Sequence, residues 1–169
     1  MTVGKEINLL RNYPQSKRDV SGRLDVKTKE DQRIAQKFGK EFFDGSRNHG
    51  YGGFSYSPRF WQPVIPTFQK HWSLTGGDSL LDIGCAKGFM LHDLKQLIPD
   101  IIVHGVDISK YAINNAKNEV KRYCKVSNAT ELPFDDKSID VCISVTTLHN
   151  LEEKDLIKAL LEIERVKVR

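Results

Sequence analysis

The sequence predicts an α/β fold: a mostly parallel, doubly wound sheet with helices on both faces and an N-terminal helical cap. Short apolar runs alternate with segments of helical spacing from residue 79 onward. Such alternation is typical of parallel strands joined by crossover helices. The 169 residues suffice for one domain with its own core. A content of 39% hydrophobic and 28% charged residues is ordinary for a globular chain.

The elements of this domain follow one another in a regular order. Apolar runs predict four buried strands, at residues 79–83, 101–106, 123–126 and 139–145. Apolar residues every three or four positions predict helices at residues 89–98, 109–120 and 156–166. Ser109 is the expected cap of the second of these helices, and Pro99 ends the first. We expect this domain to span residues 74–169.

Residues 1–73 form the predicted cap. The first 27 residues lack strong periodicity and indicate an extended or partly ordered basic arm. A helix is expected over residues 28–43, where Ile34, Phe38 and Phe42 recur at four-residue spacing and Thr28 can act as the cap. A second helix is expected over residues 64–74.

Between these helices, residues 44–63 are rich in Gly, Pro and Ser and predict a loop. This region is strongly aromatic, since 10 of the 15 aromatic residues lie between Phe38 and Trp72. Two interpretations stay open: a lid packed on the core, or a wall of a ligand pocket, which aromatic side chains also line. Tyr51 and Arg59 are the candidates in this loop for positioning a substrate.

The net charge of +4 is confined to the first 50 residues, which hold 11 Lys and Arg against 7 Asp and Glu, while the rest of the chain holds 15 of each. A balanced domain disfavours a nucleic-acid-coating function. No apolar run has the length of a membrane span or signal peptide, so we expect a cytoplasmic protein without membrane contact. Three widely spaced cysteines and no CxxC pair disfavour a zinc site or disulfide framework.

The sharpest motif is Leu80-Leu81-Asp82-Ile83-Gly84-Cys85-Ala86-Lys87-Gly88, a strand followed by a small-residue turn and a helix start. Gly84 lets the backbone turn tightly, and we expect exposed N–H groups at the helix start, as in dinucleotide-binding folds. The spacing nevertheless differs from G-x-G-x-x-G. Asp82 would repel a pyrophosphate and suits a cationic group such as an ammonium, although it could also be a helix cap.

Two further strand ends carry ligand-type residues. Asp107 follows the second strand, 23 positions after Gly84, where an acidic residue can accept both hydroxyls of a ribose. Ile108 offers apolar surface to a purine, and the Asn128 side-chain oxygen after the third strand could accept from an adenine amino group. Because ligands of open α/β sheets bind at the carboxyl ends of the strands, we expect these residues to meet in one site.

The stretches LLDIGCAKG, VHGVDIS, NATELPFDDKSIDVCISVTTLHNL and ALLEIERV resemble the class I S-adenosylmethionine-dependent methyltransferases. The resemblance covers about residues 74–166, and LPFDDKSIDV followed by LHNL is most similar to the small-molecule, ubiquinone-biosynthesis-like group. It implies a Rossmann-like fold with seven strands in the order 3-2-1-4-5-7-6. This chain would supply the 3-2-1-4 part, with strands 5–7 missing.

The resemblance implies S-adenosyl-L-methionine as the cofactor and a set of residues that hold it. Its methionine part would be lined by Asp82, Gly84, Cys85, Ala86 and Gly88, its ribose bound by Asp107, its adenine contacted by Ile108, Asn128 and Ala129, and its methionyl end met by the backbone of Val145. No metal is implied. His149, just past the fourth strand, is the candidate general base, with a capping or packing role as the alternative.

In the expected fold the chain stops in the helix before strand five, which leaves strand four as an apolar edge. We therefore expect either a fragment of a longer protein or an edge covered by a second copy or a partner. Three functions stay open at this point: a methyltransferase for a small-molecule acceptor, a non-catalytic cofactor-binding module, and a dinucleotide-dependent oxidoreductase.

Overall fold

The computed structural model of the chain describes residues 6–15 and 27–168. In this part of the chain a four-stranded sheet has the order β3-β2-β1-β4, and every pairing is parallel. The strands are β1 Ser79–Ile83, β2 Ile102–Asp107, β3 Cys124–Val126 and β4 Val141–Ile143. The predicted α/β class and the strand order 3-2-1-4 are confirmed.

Eight α-helices lie in the described part of the chain. The cap contributes α1 Lys29–Gln36, α2 Lys40–Asp44, α3 Pro58–Trp61 and α4 Ile65–Trp72. The sheet domain contributes α5 Phe89–Leu97, α6 Lys110–Asn114, α7 Asn118–Lys121 and α8 Glu153–Val166. A single 3₁₀ turn, Leu148–Asn150, follows β4.

Two helices that the spacing predicted as continuous are each broken. The first ends at Gln36 and resumes at Lys40, because Phe38 adopts a left-handed backbone with φ of 46°. The second is interrupted between Asn114 and Asn118, where the Lys117 N–H donates to the carbonyl of Lys87 instead of to a helical carbonyl. In both places the tertiary structure, and not the local spacing of apolar residues, determines where the helix ends.

Other features of the cap follow the prediction. Thr28 and Asp31 form a reciprocal capping box at the start of α1. The predicted loop 44–63 is mostly irregular but contains α3. The ring of Tyr13, in the basic arm, packs edge-on against Trp61, with centroids 5.1 Å apart. The rest of that predicted arm, residues 1–5 and 16–26, lies outside the described residues.

Two apolar clusters flank the sheet, as a doubly wound fold requires. The larger joins one face to the helices α4, α5 and α7 through residues such as Phe68, Leu91 and Val120. The smaller lies on the opposite face, where Val166 of α8 packs with Ile83 and other strand residues. Burial of β1 on both faces explains why its apolar residues Leu80, Leu81 and Ile83 do not alternate with exposed polar ones.

The end of the described chain adds a contact that the sequence did not predict. Helix α8 ends at Val166, and Lys167 forms a parallel bridge with Ile139, just before β4. The Val168 N–H donates to the Ile139 carbonyl at 2.7 Å. The side of β4 that was expected to be bare therefore begins to be paired.

No helix among the described residues has both the length and the apolarity to cross a membrane.

Arg165 of α8 fixes the connection between β3 and β4. Its guanidinium donates to the carbonyls of Leu132 and Phe134 and to the carboxylates of Glu162 and Asp136. Glu162 in turn accepts from the Leu132 N–H at 2.8 Å. One charged side chain thus supplies donors to a loop that leads into the sheet.

We expect Arg165→Met to lower the midpoint of urea unfolding, because the substitution removes a charged donor from two carbonyls and two carboxylates. Lys158→Met is the matched control, since Lys158 makes an exposed helical ion pair with Asp155 and should change stability by less than about 0.5 kcal/mol. Urea unfolding followed by circular dichroism measures both. Equal effects of the two substitutions would contradict the assignment.

Candidate functional site

A pocket opens at the carboxyl ends of the strands, where the sequence predicted a site. Its cavity volume is about 150 Å³. The loops after all four strands contribute to it, and the cap closes one side. The lining residues are Phe38, Phe42, Phe43, Tyr51, Ile83, Gly84, Ala86, Val106, Asp107, Ile108, Ser127, Asn128, Ala129, Val145, Thr146, Thr147, Asn150 and Leu151.

The loop after β1 uses its own N–H groups to bind the end of β2. The N–H groups of Gly84 and Cys85 both donate to the Val106 carbonyl, at 2.8 and 3.0 Å. The Ala86 N–H donates to Asp107 Oδ2 at 2.8 Å, and that of Gly88 donates to the Cys85 carbonyl. These four N–H groups of the turn are therefore committed to oxygens of this chain. The expectation of exposed N–H groups concerned the helix start, where no side chain caps α5.

Two small residues of this loop have left-handed backbones. Gly84 has φ of 90°, and a β-carbon there would collide with the side chain of Thr147. Ala86 has φ of 49°, a conformation that a residue with a β-carbon adopts at a cost of about 1–2 kcal/mol. Both residues line the pocket, so the tight turn brings backbone directly to the ligand space.

Asp107 lies at the centre of the pocket wall and joins two loops. Its Oδ2 accepts from the Ala86 N–H and its Oδ1 from the Ser109 N–H, both at 2.8 Å. Burial raises the pKa of this carboxyl, and the two backbone hydrogen bonds oppose the rise. A carboxylate has about four acceptor positions, so two remain for hydroxyl donors.

Asp82 lies beneath the pocket rather than on its wall. It is 5% exposed on β1. Burial raises the pKa of its carboxyl to about 8, and the nearby Asp107 adds to the rise. A carboxyl so far from water is stabilised as an anion by a positive charge or by hydrogen-bond donors close to it. The alternative of a helix cap is wrong, because Gly88 occupies the cap position of α5.

The predicted adenine-side residues are brought together. Ile108 lines the pocket and is 57% exposed. Asn128 and Ala129 line it from the loop after β3, and Val145 from the loop after β4. The Asn128 Oδ1 already accepts from the Thr130 N–H at 3.1 Å, which leaves one acceptor position on that oxygen and the amide N–H₂.

Two residues of the motif pack away from the pocket in the described structure. Cys85 is buried, and its sulfur fills the space beside Gly105. Gly88 has φ of 71°, and a β-carbon there would lie 3.0 Å from Val120 and 3.3 Å from the Cys124 sulfur. Cys85 and Gly88 therefore shape the turn and pack α5 against the sheet. Neither residue lines the pocket.

The aromatic part of the cap fits both interpretations, a wall of the pocket and a lid packed on the core. Phe38, Phe42, Phe43 and Tyr51, which we call the roof, line the pocket. Other rings of the cap pack on the domain, as Phe54 does by stacking on Phe89 at 5.0 Å between centroids. Of the loop residues proposed to position a substrate, Tyr51 lies in the roof, whereas Arg59 covers the ring of Phe60 and is not among the lining residues.

His149, the candidate general base, is exposed on the 3₁₀ turn and is not among the residues that line the pocket. Its neighbours Asn150 and Leu151 line the pocket instead. Sequence reasoning also missed Ser127, Thr146 and Thr147. The first is adjacent to Asn128, and the other two follow directly on Val145, so proximity to predicted strand ends was the available signal.

Comparison with known proteins finds one matching family and several similar proteins. Residues 81–168 match a family model described as a methyltransferase domain. A curated protein of Methanocaldococcus jannaschii is 39% identical over 90 residues, covering 53% of this chain and 33% of that protein. The 27-O-demethylrifamycin SV methyltransferase of Amycolatopsis mediterranei is 30% identical over 88 residues, covering 48% of this chain and 32% of that enzyme.

Among solved structures, a SAM-dependent methyltransferase from Aquifex aeolicus is similar with a TM-score of 0.51 and 27% identity, over 60% of this chain and 57% of that one. The chain spans about a third of the length of the curated relatives above. The matched region contains the loop after β1, Asp107 and the ends of β3 and β4.

The buried Asp82 carboxyl predicts an unusual pH dependence. Its folded-state pKa of about 8 lies above the ordinary 3.8, so the folded chain holds a proton that the unfolded chain releases, and stability falls as the pH rises from about 4 to 8. Asp82→Asn should flatten this part of the profile and raise the melting temperature at pH 8.5. Thermal unfolding at several pH values measures it; identical profiles of the two proteins would contradict the assignment.

The left-handed Ala86 predicts that Ala86→Gly stabilises the folded chain by about 1 kcal/mol, because glycine adopts a positive φ freely. Gly84→Ala is the matched opposite change and should destabilise, since it adds the collision with Thr147 to a φ of 90°. Denaturant unfolding gives both values. A loss of stability in Ala86→Gly would show that the turn is not strained.

Proposed function

The chain belongs to the methyltransferase domain family, within the class I S-adenosylmethionine-dependent group, and on this premise we propose that its pocket binds S-adenosylmethionine for methyl transfer to a small-molecule acceptor. The cofactor supplies an activated methyl group on a sulfonium. The protein's contribution to such an in-line displacement is orientation and proximity.

The single observation that carries this proposal is the Asp107 carboxylate. It lines the pocket with two acceptor positions uncommitted, between the Ala86 turn and the exposed Ile108 side chain. Two adjacent hydroxyls are the donors that this arrangement fits, and an apolar ring fits beside Ile108. A ribose followed by a purine satisfies both neighbours.

Asp82 supports the other end of the cofactor. An ammonium group near the loop after β1 would supply the positive charge that its buried carboxyl lacks, and would favour the ionised form. Gly84 and Ala86 leave room for the methionine part because neither places a long side chain in the pocket. The Val145 backbone stays our proposed contact for the methionyl end.

The alternatives have less support. A dinucleotide-dependent oxidoreductase needs a pyrophosphate at the loop after β1, and four N–H groups of that loop already donate to this chain's own oxygens. A non-catalytic cofactor-binding module differs from the enzyme in the acceptor site alone. Tyr51, in the roof, is our candidate for contact with the acceptor.

We expect the chain to bind S-adenosylhomocysteine in titration calorimetry, and Asp107→Asn to weaken this binding by about tenfold or more, because one acceptor oxygen for the ribose becomes a donor. Asp135→Asn is the matched control. Asp135 is exposed, between β3 and β4, and is not among the lining residues, so it should bind as the unaltered chain does.

Binding of NAD in place of S-adenosylhomocysteine would overturn the proposal in favour of the oxidoreductase. Unchanged affinity in Asp107→Asn would overturn the placement of the ribose. Cofactor binding without methyl transfer to any small-molecule acceptor would favour the non-catalytic module.

A further inference from the structure

A buried lysine joins the loop after β1 to the cap. Lys87 is 8% exposed, and its Nζ donates to both carboxylate oxygens of Asp44, at 2.8 and 2.7 Å, and to the Phe54 carbonyl at 2.9 Å. These three contacts account for the donors of an ammonium group. Lys87 is not among the residues that line the pocket.

Asp44 is equally well satisfied. Its Oδ2 accepts from the Tyr111 hydroxyl at 2.7 Å and its Oδ1 from the Phe54 N–H at 3.0 Å, in addition to Lys87. Burial alone would raise the pKa of this carboxyl, but the hydrogen bonds from Lys87, Phe54 and Tyr111 outweigh it and lower the pKa to about 2. The Asp44 carboxyl is therefore ionised throughout the neutral range.

The Lys87–Asp44 pair lies directly behind the roof. Asp44 is the last residue of α2, which carries Phe42 and Phe43 into the pocket. Asp44 and Lys87 both bind the backbone of Phe54. Tyr51 lies three residues before Phe54, and the centroids of the two rings are 4.3 Å apart. Three of the four roof residues thus lie between or beside the two places where the cap is attached to Lys87.

We propose that Lys87 is a positioning residue for the adenosyl ligand: through Asp44 it holds the aromatic roof over the pocket and thereby sets how slowly the bound ligand leaves. The inference rests on the proposed function for the identity of the ligand. Lys87 belongs to the LLDIGCAKG motif, so the same nine residues line part of the pocket and attach its roof.

Removal of the ammonium leaves Asp44 as a partly buried anion without its cation, and the cap then exchanges more readily between closed and open arrangements. Opening affects ligand release more directly than encounter. The effect of Lys87 should therefore appear mainly in the dissociation rate, a partition that a general loss of stability would not produce.

The test compares Lys87→Met, Asp44→Asn and the double variant with the unaltered chain. S-adenosylhomocysteine release is measured by stopped-flow displacement, and backbone amide exchange by mass spectrometry without ligand. Coupling between two sites of a protein typically changes ligand affinity by about 5- to 150-fold. We expect each single variant to release the ligand about tenfold faster, the double variant to be no worse than the singles, and residues 38–54 to exchange faster while β1 and β2 do not.

Lys95→Met is the matched control. Lys95 lies on α5, and its Nζ donates to the Ile101 carbonyl and lies over the Tyr123 ring, away from the cap. It should leave both measurements unchanged. If Lys87→Met does not fold, Tyr111→Phe removes one hydroxyl donor from the same carboxylate and should give a smaller change in the same direction.

Release at the unaltered rate, or unchanged amide exchange over residues 38–54, would overturn the role of Lys87. The exchange measurement needs no ligand. A chain that binds no S-adenosylhomocysteine would therefore refute the proposed function, while faster exchange in Lys87→Met would still support the attachment of the roof.

Discussion

The hydrogen bonding between the end of β2 and the turn after β1 is the constraint on which the pocket depends. One backbone carbonyl, of Val106, and one carboxylate, of Asp107, accept three successive N–H groups of the turn. Within this bonding Gly84 and Ala86 have left-handed backbones. The acceptor positions that Asp107 keeps free suit a ligand that brings hydrogen-bond donors to it.

Local pattern sufficed for the strands and for most of the pocket. Polar residues stand at the end of β2 and just after β3, so Asp107 and Asn128, together with Val145 just after β4, could be placed at one edge of the sheet from the sequence alone. Parallel pairing dictates this placement, because the carboxyl ends of parallel strands meet on the same side. The strand order itself followed from the resemblance to a family and not from the periodicity.

What could not be predicted depends on contacts between distant residues. The break in the first cap helix requires Phe38 to turn into the pocket, and the Lys87–Asp44 pair joins positions 43 residues apart. Nothing in the spacing of charged residues selects Asp44 over its neighbours as the partner of Lys87. In the same way, the exposure of His149 results from the 3₁₀ turn after β4, which brings Asn150 and Leu151 to the pocket in its place.

The aromatic roof and the buried carboxyls depend on each other. Asp107 is close enough to Asp82 to disfavour its ionised form, and this repulsion is strongest where water is excluded. A roof of four aromatic side chains over the pocket limits the access of water to Asp107 on its wall, whereas Asp82 is buried beneath the pocket. Loosening the roof would admit water to Asp107, so the cap and the charge of this wall act on the same ligand through one physical variable, the access of water.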